Sequence, residues 1–262
     1  MIDKKKLAKK FSKNAKTYDE YAKVQKHMSN KLIDIINELD DIKKIKVLEI
    51  GCGTGYLTKL LLNKFENINL ISVDIAQGMI DYCKDRIIDE RVEFKCIDIE
   101  EFKSNNKYDL IISNATFQWF NHPKETINNL KNTLNQNGIM LFSTFLEDTF
   151  KELKDCFFKA NKTLDLEDEI TSGQNFLTKE YIKQIFAPNK IAISKENYIQ
   201  EFDTVNEFFI SIKKIGASKS NKKHVFVKGF IDLVIKFYES YYRVNKNIIA
   251  TYDCGFVYYQ NA

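Results

Sequence analysis

The stretch Val47-Leu48-Glu49-Ile50-Gly51-Cys52-Gly53-Thr54-Gly55-Tyr56 decides how the chain is read. An apolar run ends there in three glycines at alternate positions and passes into Leu57-Thr58-Lys59-Leu60-Leu61-Leu62. A continuous apolar run suits a strand buried on both faces, and Leu57, Leu60 and Leu61 recur at helical spacing, so the glycines fall on a strand-to-helix turn. Without Cβ atoms such a turn can take positive φ and let a bound molecule lie against its backbone, while the first N–H groups of the helix face outward. Tyr56 stands where the fingerprint Gly-x-Gly-x-x-Gly requires its third glycine, and no Gly-x-x-x-x-Gly-Lys-Ser/Thr loop occurs, so a phosphate site is disfavoured. Glu49, just before the glycines, would repel a pyrophosphate but suits a ligand carrying positive charge.

Working outward, Ile68-Asn69-Leu70-Ile71-Ser72-Val73 ends in Asp74, with Ile75 and a helix from near Ala76 behind it. Another acid, Asp98, follows Val92-Glu93-Phe94-Lys95-Cys96-Ile97. Acids at three successive strand ends lie where open α/β sheets bind ligands. The pattern resembles the class I S-adenosylmethionine (SAM) methyltransferases, whose ligand carries an ammonium and a sulfonium. The resemblance implies that SAM lies across Gly51, Gly53 and Gly55, with Asp74 on the ribose, Asp98 and Ile99 at the adenine and Asn114 near the methionine moiety, and that Ile75 and Met79 also bind the cofactor.

From 45 to 145 strands and helices alternate, which predicts a parallel sheet with right-handed crossovers. Tyr108-Asp109-Leu110-Ile111-Ile112-Ser113-Asn114 is a fourth strand. Pro123 opens a helix carrying Ile127, Leu130 and Leu134 and ending at Asn137-Gly138, and Ile139 to Phe145 is the fifth strand. Beyond it 150–186 reads as two helices around a polar loop, 190–202 as a strand, 205–215 and 225–242 as helices, and 248–259 as the last strand. The expected fold is an α/β, Rossmann-like class I methyltransferase: a mostly parallel seven-stranded sheet with an antiparallel last strand, helices on both faces and a helical elaboration at 150–245 over the crevice. One domain spans 1–262, and 1–40 supplies a lid and a helix. The lid is 11–25, too polar for a core strand and too aromatic for a disordered tail. Its Tyr18 and Gln25 are expected at the amino-acid end of the cofactor, and Val24, Met28, Leu32, Ile35, Ile36 and Leu39 continue it as an amphipathic helix.

With 44% hydrophobic and 29% charged residues the chain reads as a soluble, globular protein without a membrane span or leader, expected in the cytoplasm and as a monomer. Its five cysteines are odd in number and scattered, and its three histidines lie far apart, so neither a disulfide framework nor a metal site is expected. A net charge of +4 built almost wholly from lysine lacks the arginine clusters of a nucleic-acid enzyme.

Several blocks narrow the resemblance. The sequence from Phe11 to Gln25, the glycine block, Val73-Asp74-Ile75, Asn114-Ala115-Thr116-Phe117-Gln118-Trp119-Phe120, Leu141 to Phe145, Ile215-Gly216-Ala217 and Thr251-Tyr252 are similar to the malonyl-acyl carrier protein O-methyltransferases of biotin synthesis. That resemblance implies methylation of the free carboxylate of a malonyl thioester, borne by acyl carrier protein or by coenzyme A. Trp119, Phe145 and Tyr252 are then candidate walls of the acyl site, Tyr18 a positioning residue, and Lys213, Lys214, Lys219, Lys222, Lys223 and Arg243 a basic docking surface for an acidic carrier. A carboxyl methyltransferase of a small free acid such as trans-aconitate, and a SAM-binding protein without transferase activity, are the alternatives; the Ile-Gly-Ala block argues against the first.

Overall fold

The computed structural model describes residues 1–37, 45–173, 176–215 and 227–261. Its strands are β1 (Ile45–Ile50), β2 (Ile68–Asp74), β3 (Val92–Cys96), β4 (Tyr108–Ser113), β5 (Leu134–Phe145), β6 (Ala192–Phe202), the two-residue β7 (Arg243–Val244) and β8 (Asn247–Gln260). They form one sheet in the order β3-β2-β1-β4-β5-β8-β6, with β7 also paired to β8. Neighbours from β3 to β5 are parallel, whereas β8 runs antiparallel to both β5 and β6. This is the mostly parallel sheet expected from the sequence, with the antiparallel last strand inserted between two others.

The helices are α1 (Lys4–Asn14), α2 (Tyr18–Tyr21), α3 (Lys23–Asn37), α4 (Tyr56–Lys64), α5 (Gln77–Lys84), α6 (Pro123–Lys131), α7 (Lys151–Thr163), α8 (Lys179–Phe186), α9 (Val205–Lys214) and α10 (Phe230–Tyr241). Alternation along each strand explains why they cover both faces. Val47, Leu70, Leu110 and Leu141 point into a core shared with Met28 and Leu32 of α3 and Leu61 of α4. The next residues, Leu48, Ile71 and Ile111, together with Met140, point the other way, against Ile127 and Leu130 of α6 and Ile182 and Phe186 of α8. A strand must be apolar at every position to fill two cores, and that is the origin of the unbroken hydrophobic runs.

Two element boundaries differ from expectation. The helix opened by Pro123 stops at Lys131, and Leu134 already belongs to β5, opposite Tyr108. Thr133 donates from Oγ1 to the Leu130 carbonyl and accepts the Tyr108 N–H, each at 2.8 Å, which ends the helix and starts the pairing. A bulge with Asn137 at φ 63° then restores register. Leu134 misled because it is helically spaced from Ile127 and Leu130 yet equally suits a buried strand end. The other boundary is α10, which begins at Phe230 behind Gly229. Leu39, the Gly216-Ala217 pair and the first part of the expected 225–242 helix lie outside the described residues.

The N-terminal segment is docked over the strand ends by polar contacts along its length. Ile2 donates its N–H to Asn121 Oδ1 at 2.6 Å and accepts from Asn121 Nδ2 at 3.0 Å. Lys4 Nζ lies 2.5 Å from Glu100 Oε2 and 3.4 Å from Asp98 Oδ1. Farther along α1, Ser12 rests on Gly78 of α5, where any Cβ would come within 2.8 Å of the Ser12 backbone. In α2, Asp19 accepts from Thr54 Oγ1 of the glycine turn at 2.6 Å.

Candidate active site

The turn after β1 carries Gly51 and Gly53 at φ 71° and 55°. A Cβ on Gly51 would stand 2.1 Å from Thr116 Oγ1, so the turn and the segment after β4 touch only because that residue is glycine. Gly53 has open space where a side chain would be, so its glycine serves backbone conformation and leaves the turn approachable. Gly55, also left-handed, is the N-cap of α4. Asp74, at the end of β2, accepts from the Gly53 N–H at 3.0 Å and the Ala76 N–H at 2.8 Å. Burial raises its carboxyl above the usual range, and these main-chain donors oppose the rise.

Glu49 lies beneath the turn instead of facing the cleft. Its Oε2 accepts from Thr58 Oγ1 and Ser72 Oγ, each at 2.6 Å, while Oε1 is buried with no partner. Burial pushes its carboxyl up to about 7, against the two hydroxyl donors.

A cleft of about 80 Å³ runs over these strand ends, lined by Gly51, Gly53, Asp74, Ile75, Met79, Asp98, Ile99 and Asn114 and by Lys4, Leu7 and Phe11 from α1. It therefore gathers most of the cofactor residues read from the sequence. A smaller one of about 40 Å³ joins Tyr18, Gln25 and Asn114 to the glycine turn. Asn114 spends its amide hydrogens on the Gln25 carbonyl at 2.9 Å and Ser29 Oγ at 2.8 Å, and its Oδ1 accepts from Ser143 at 2.6 Å. It thereby ties β4 to α3 and β5.

Beside the cleft lies a larger, mostly apolar chamber of about 410 Å³. Phe11, Tyr18, Ala115 and Trp119 line both spaces and form the partition between them. Phe145 and Tyr252 line the chamber, their rings 5.7 Å apart. Sequence reasoning did not single out Phe150, Lys154, Phe157 and Phe176 of the elaboration, nor Gln118. Only Gln118 had a signal, its place in the block around Trp119. Lys213 and Lys214 end α9 beside Ile212 and Ile215 of the chamber wall. Arg243 is engaged by Glu239 at 3.3 Å and by the Lys246 carbonyl, while Lys219, Lys222 and Lys223 lie outside the described residues.

Among the described residues no group of three or more His, Cys, Asp or Glu is placed to hold a metal, and no helix is long and apolar enough to cross a membrane. The open glycine turn and the acids Asp74 and Asp98 lining the cleft fit a cationic nucleoside ligand. Residues 41–207 match a family described as a methyltransferase domain. The fold is shared with a phosphoethanolamine N-methyltransferase of Haemonchus contortus solved with S-adenosyl-L-methionine, at a TM-score of 0.55 and 17% identity over 88% of this chain and 52% of that one. Fold, site and family match together define a SAM-dependent class I methyltransferase. More narrowly, the chain belongs to the malonyl-[acyl-carrier protein] O-methyltransferase family: it is 44% identical to the member from Acetivibrio thermocellus over 98% of this chain and 94% of that protein. It is 42% identical to the member from Priestia megaterium over 97% and 96%.

Proposed function

We propose that this methyltransferase acts on the free carboxylate of a malonyl thioester presented by acyl carrier protein, giving the methyl ester used in biotin synthesis, and that it works as a cytoplasmic monomer. The observation carrying this reading is the pair of spaces that share Phe11, Tyr18, Ala115 and Trp119, one acid-lined at the strand ends and one apolar and roomy. Bound SAM supplies an electrophilic methyl group. Asp74 holds the ribose hydroxyls, Asp98 and Ile99 face the adenine, and Tyr18, Gln25 and Asn114 surround the methionine end. Phe145, Trp119 and Tyr252 enclose the acyl group and exclude water, which strengthens the pull between carboxylate and sulfonium. The carboxylate, with a reference pKa of about 4, is already ionised and needs no general base. Alignment of oxygen, methyl and sulfur can contribute about 7–11 kcal/mol.

Mass spectrometry of malonyl-carrier protein after incubation with SAM tests the reading: one added methyl group on the acyl chain is expected, and its absence from every malonyl thioester would overturn it. Lys213 and Lys214 beside the chamber supply positive charge to an acidic carrier. Reversing both charges should raise the Michaelis constant for the carrier-bound substrate and leave malonyl-coenzyme A nearly unaffected, because remote charges act mainly on encounter. Equal losses with both substrates would place the defect inside the site.

The lid makes a separate prediction. Lys4, Leu7 and Phe11 line the narrow cofactor cleft, so α1 must shift to admit a nucleoside. Hydrogen exchange across 4–25 should slow markedly when SAM is added; equal protection with and without it would make the segment a fixed element.

A further inference from the structure

Gln118 is a buried amide with one hydrogen left over. Its Oε1 accepts from Thr144 Oγ1 at 2.9 Å and its Nε2 donates to the Ala115 carbonyl at 2.7 Å, which fixes which end of the amide is nitrogen. The residue is only 7% exposed, yet it lines the apolar chamber, and its second Nε2 hydrogen has no partner among the described residues. A buried donor left unpaired costs roughly as much as a lost hydrogen bond, so one held in place at a ligand chamber points to an acceptor on the ligand. Its anchor sits on the partition: Ala115 lines both chamber and cleft and is held at φ 50°, an unfavourable conformation for a residue with a Cβ.

We propose that Gln118 grips the carboxylate of the substrate, donating its free Nε2 hydrogen to the oxygen that does not attack. The inference rests on the reading that the substrate carries a free carboxylate. It gives a neutral donor the task that Lys154, the one charged side chain on the chamber wall among the described residues, would otherwise take. Lys154 is committed elsewhere: its ammonium binds the Glu147 carbonyl, lies 5.5 Å from the centre of the Phe176 ring and feels the carboxylates of Glu147, Asp148 and Asp253. A carboxylate paired directly with a cation would also be a weaker nucleophile. An amide orients the anion and leaves most of its charge for the methyl group.

The test compares malonyl-pantetheine with acetyl-pantetheine, which lacks only the carboxylate, as ligands of the protein saturated with S-adenosylhomocysteine, and follows methyl transfer to the first. Gln118→Met, of similar size but with no donor, should lose ten- to a hundredfold in malonyl affinity and in kcat/KM. Acetyl affinity and SAM affinity should stay near wild type, while the melting temperature should fall somewhat, because methionine leaves the Ala115 carbonyl and the Thr144 hydroxyl without their partner. Thr144→Val, which frees the amide to rotate, should show a smaller loss of the same kind. Parallel weakening of both thioesters, or an unchanged preference for malonyl in both variants, would overturn the assignment. Absence of methyl transfer by the wild type would instead refute the substrate reading, and the binding comparison would still decide whether Gln118 recognises a carboxylate.

Discussion

Replacing Asp74 by alanine should weaken SAM binding by at least ten- to a hundredfold in calorimetry. That range corresponds to a charge-assisted hydrogen bond of about 1.5–3 kcal/mol. The structure argues for the upper end, because the carboxylate has a second task. It holds the Gly53 N–H and the Ala76 N–H, and so fixes both the glycine turn and the start of α5. Alanine removes the proposed ribose acceptor and frees the turn at once. Asp74→Asn separates the two effects: its single amide oxygen can keep one main-chain bond, and it carries no charge for the ribose hydroxyls. Asparagine should therefore lie between wild type and alanine in affinity while unfolding near the wild-type temperature. Undiminished binding by both variants would remove Asp74 from the cofactor site.

Glu49→Gln should stabilise the cofactor-free protein above pH 7 and weaken its grip on SAM. An unfolded glutamate ionises near 4.5, whereas the buried one holds its proton to about 7. Between these values the folded state binds the extra proton, so stability contributed by this group falls as pH rises through the window and is fully lost above it. At about 1.4 kcal/mol per unit, the ionised carboxylate costs the free protein about 3 kcal/mol. Glutamine carries no such cost, so the difference in melting temperature should grow from pH 5 to pH 7 and then level off. A ligand with a sulfonium and an ammonium favours the ionised form, so wild-type affinity should fall on acidification and the variant's should stay low and flat. A melting difference equal at pH 5 and pH 8 would show that charge burial is not the cause.

How much was legible in the sequence depended on how local the cause was. Buried parallel strands reveal themselves because each residue must suit one of two cores, and the positions of Asp74 and Asp98 followed from strand ends alone. Glu49 was legible as an acid at the turn but not as one beneath it, since Thr58 and Ser72 reach it only once β1, β2 and α4 have assembled. The pairing of Lys4 with Asp98 and Glu100 joins residues nearly a hundred positions apart. The apolar chamber was the least legible part. Phe11, Phe150, Phe176 and Tyr252 come from four separate segments, and nothing local distinguishes such aromatics from ordinary core.

The insertion of β8 between β5 and β6 also bears on how the protein is made. The residues from Gly51 to Asn114 that line the narrow cleft lie at the ends of strands that pair with one another, and these can assemble while synthesis continues. β6 has no such option, and β5, paired with β4 on one side, lacks its other neighbour until β8, the last strand, emerges. Tyr252, which lines the apolar chamber, lies on that strand. During translation a nascent chain thus presents a formed cleft at the strand ends beside an open sheet edge, and the apolar chamber is the last part of the enzyme to exist.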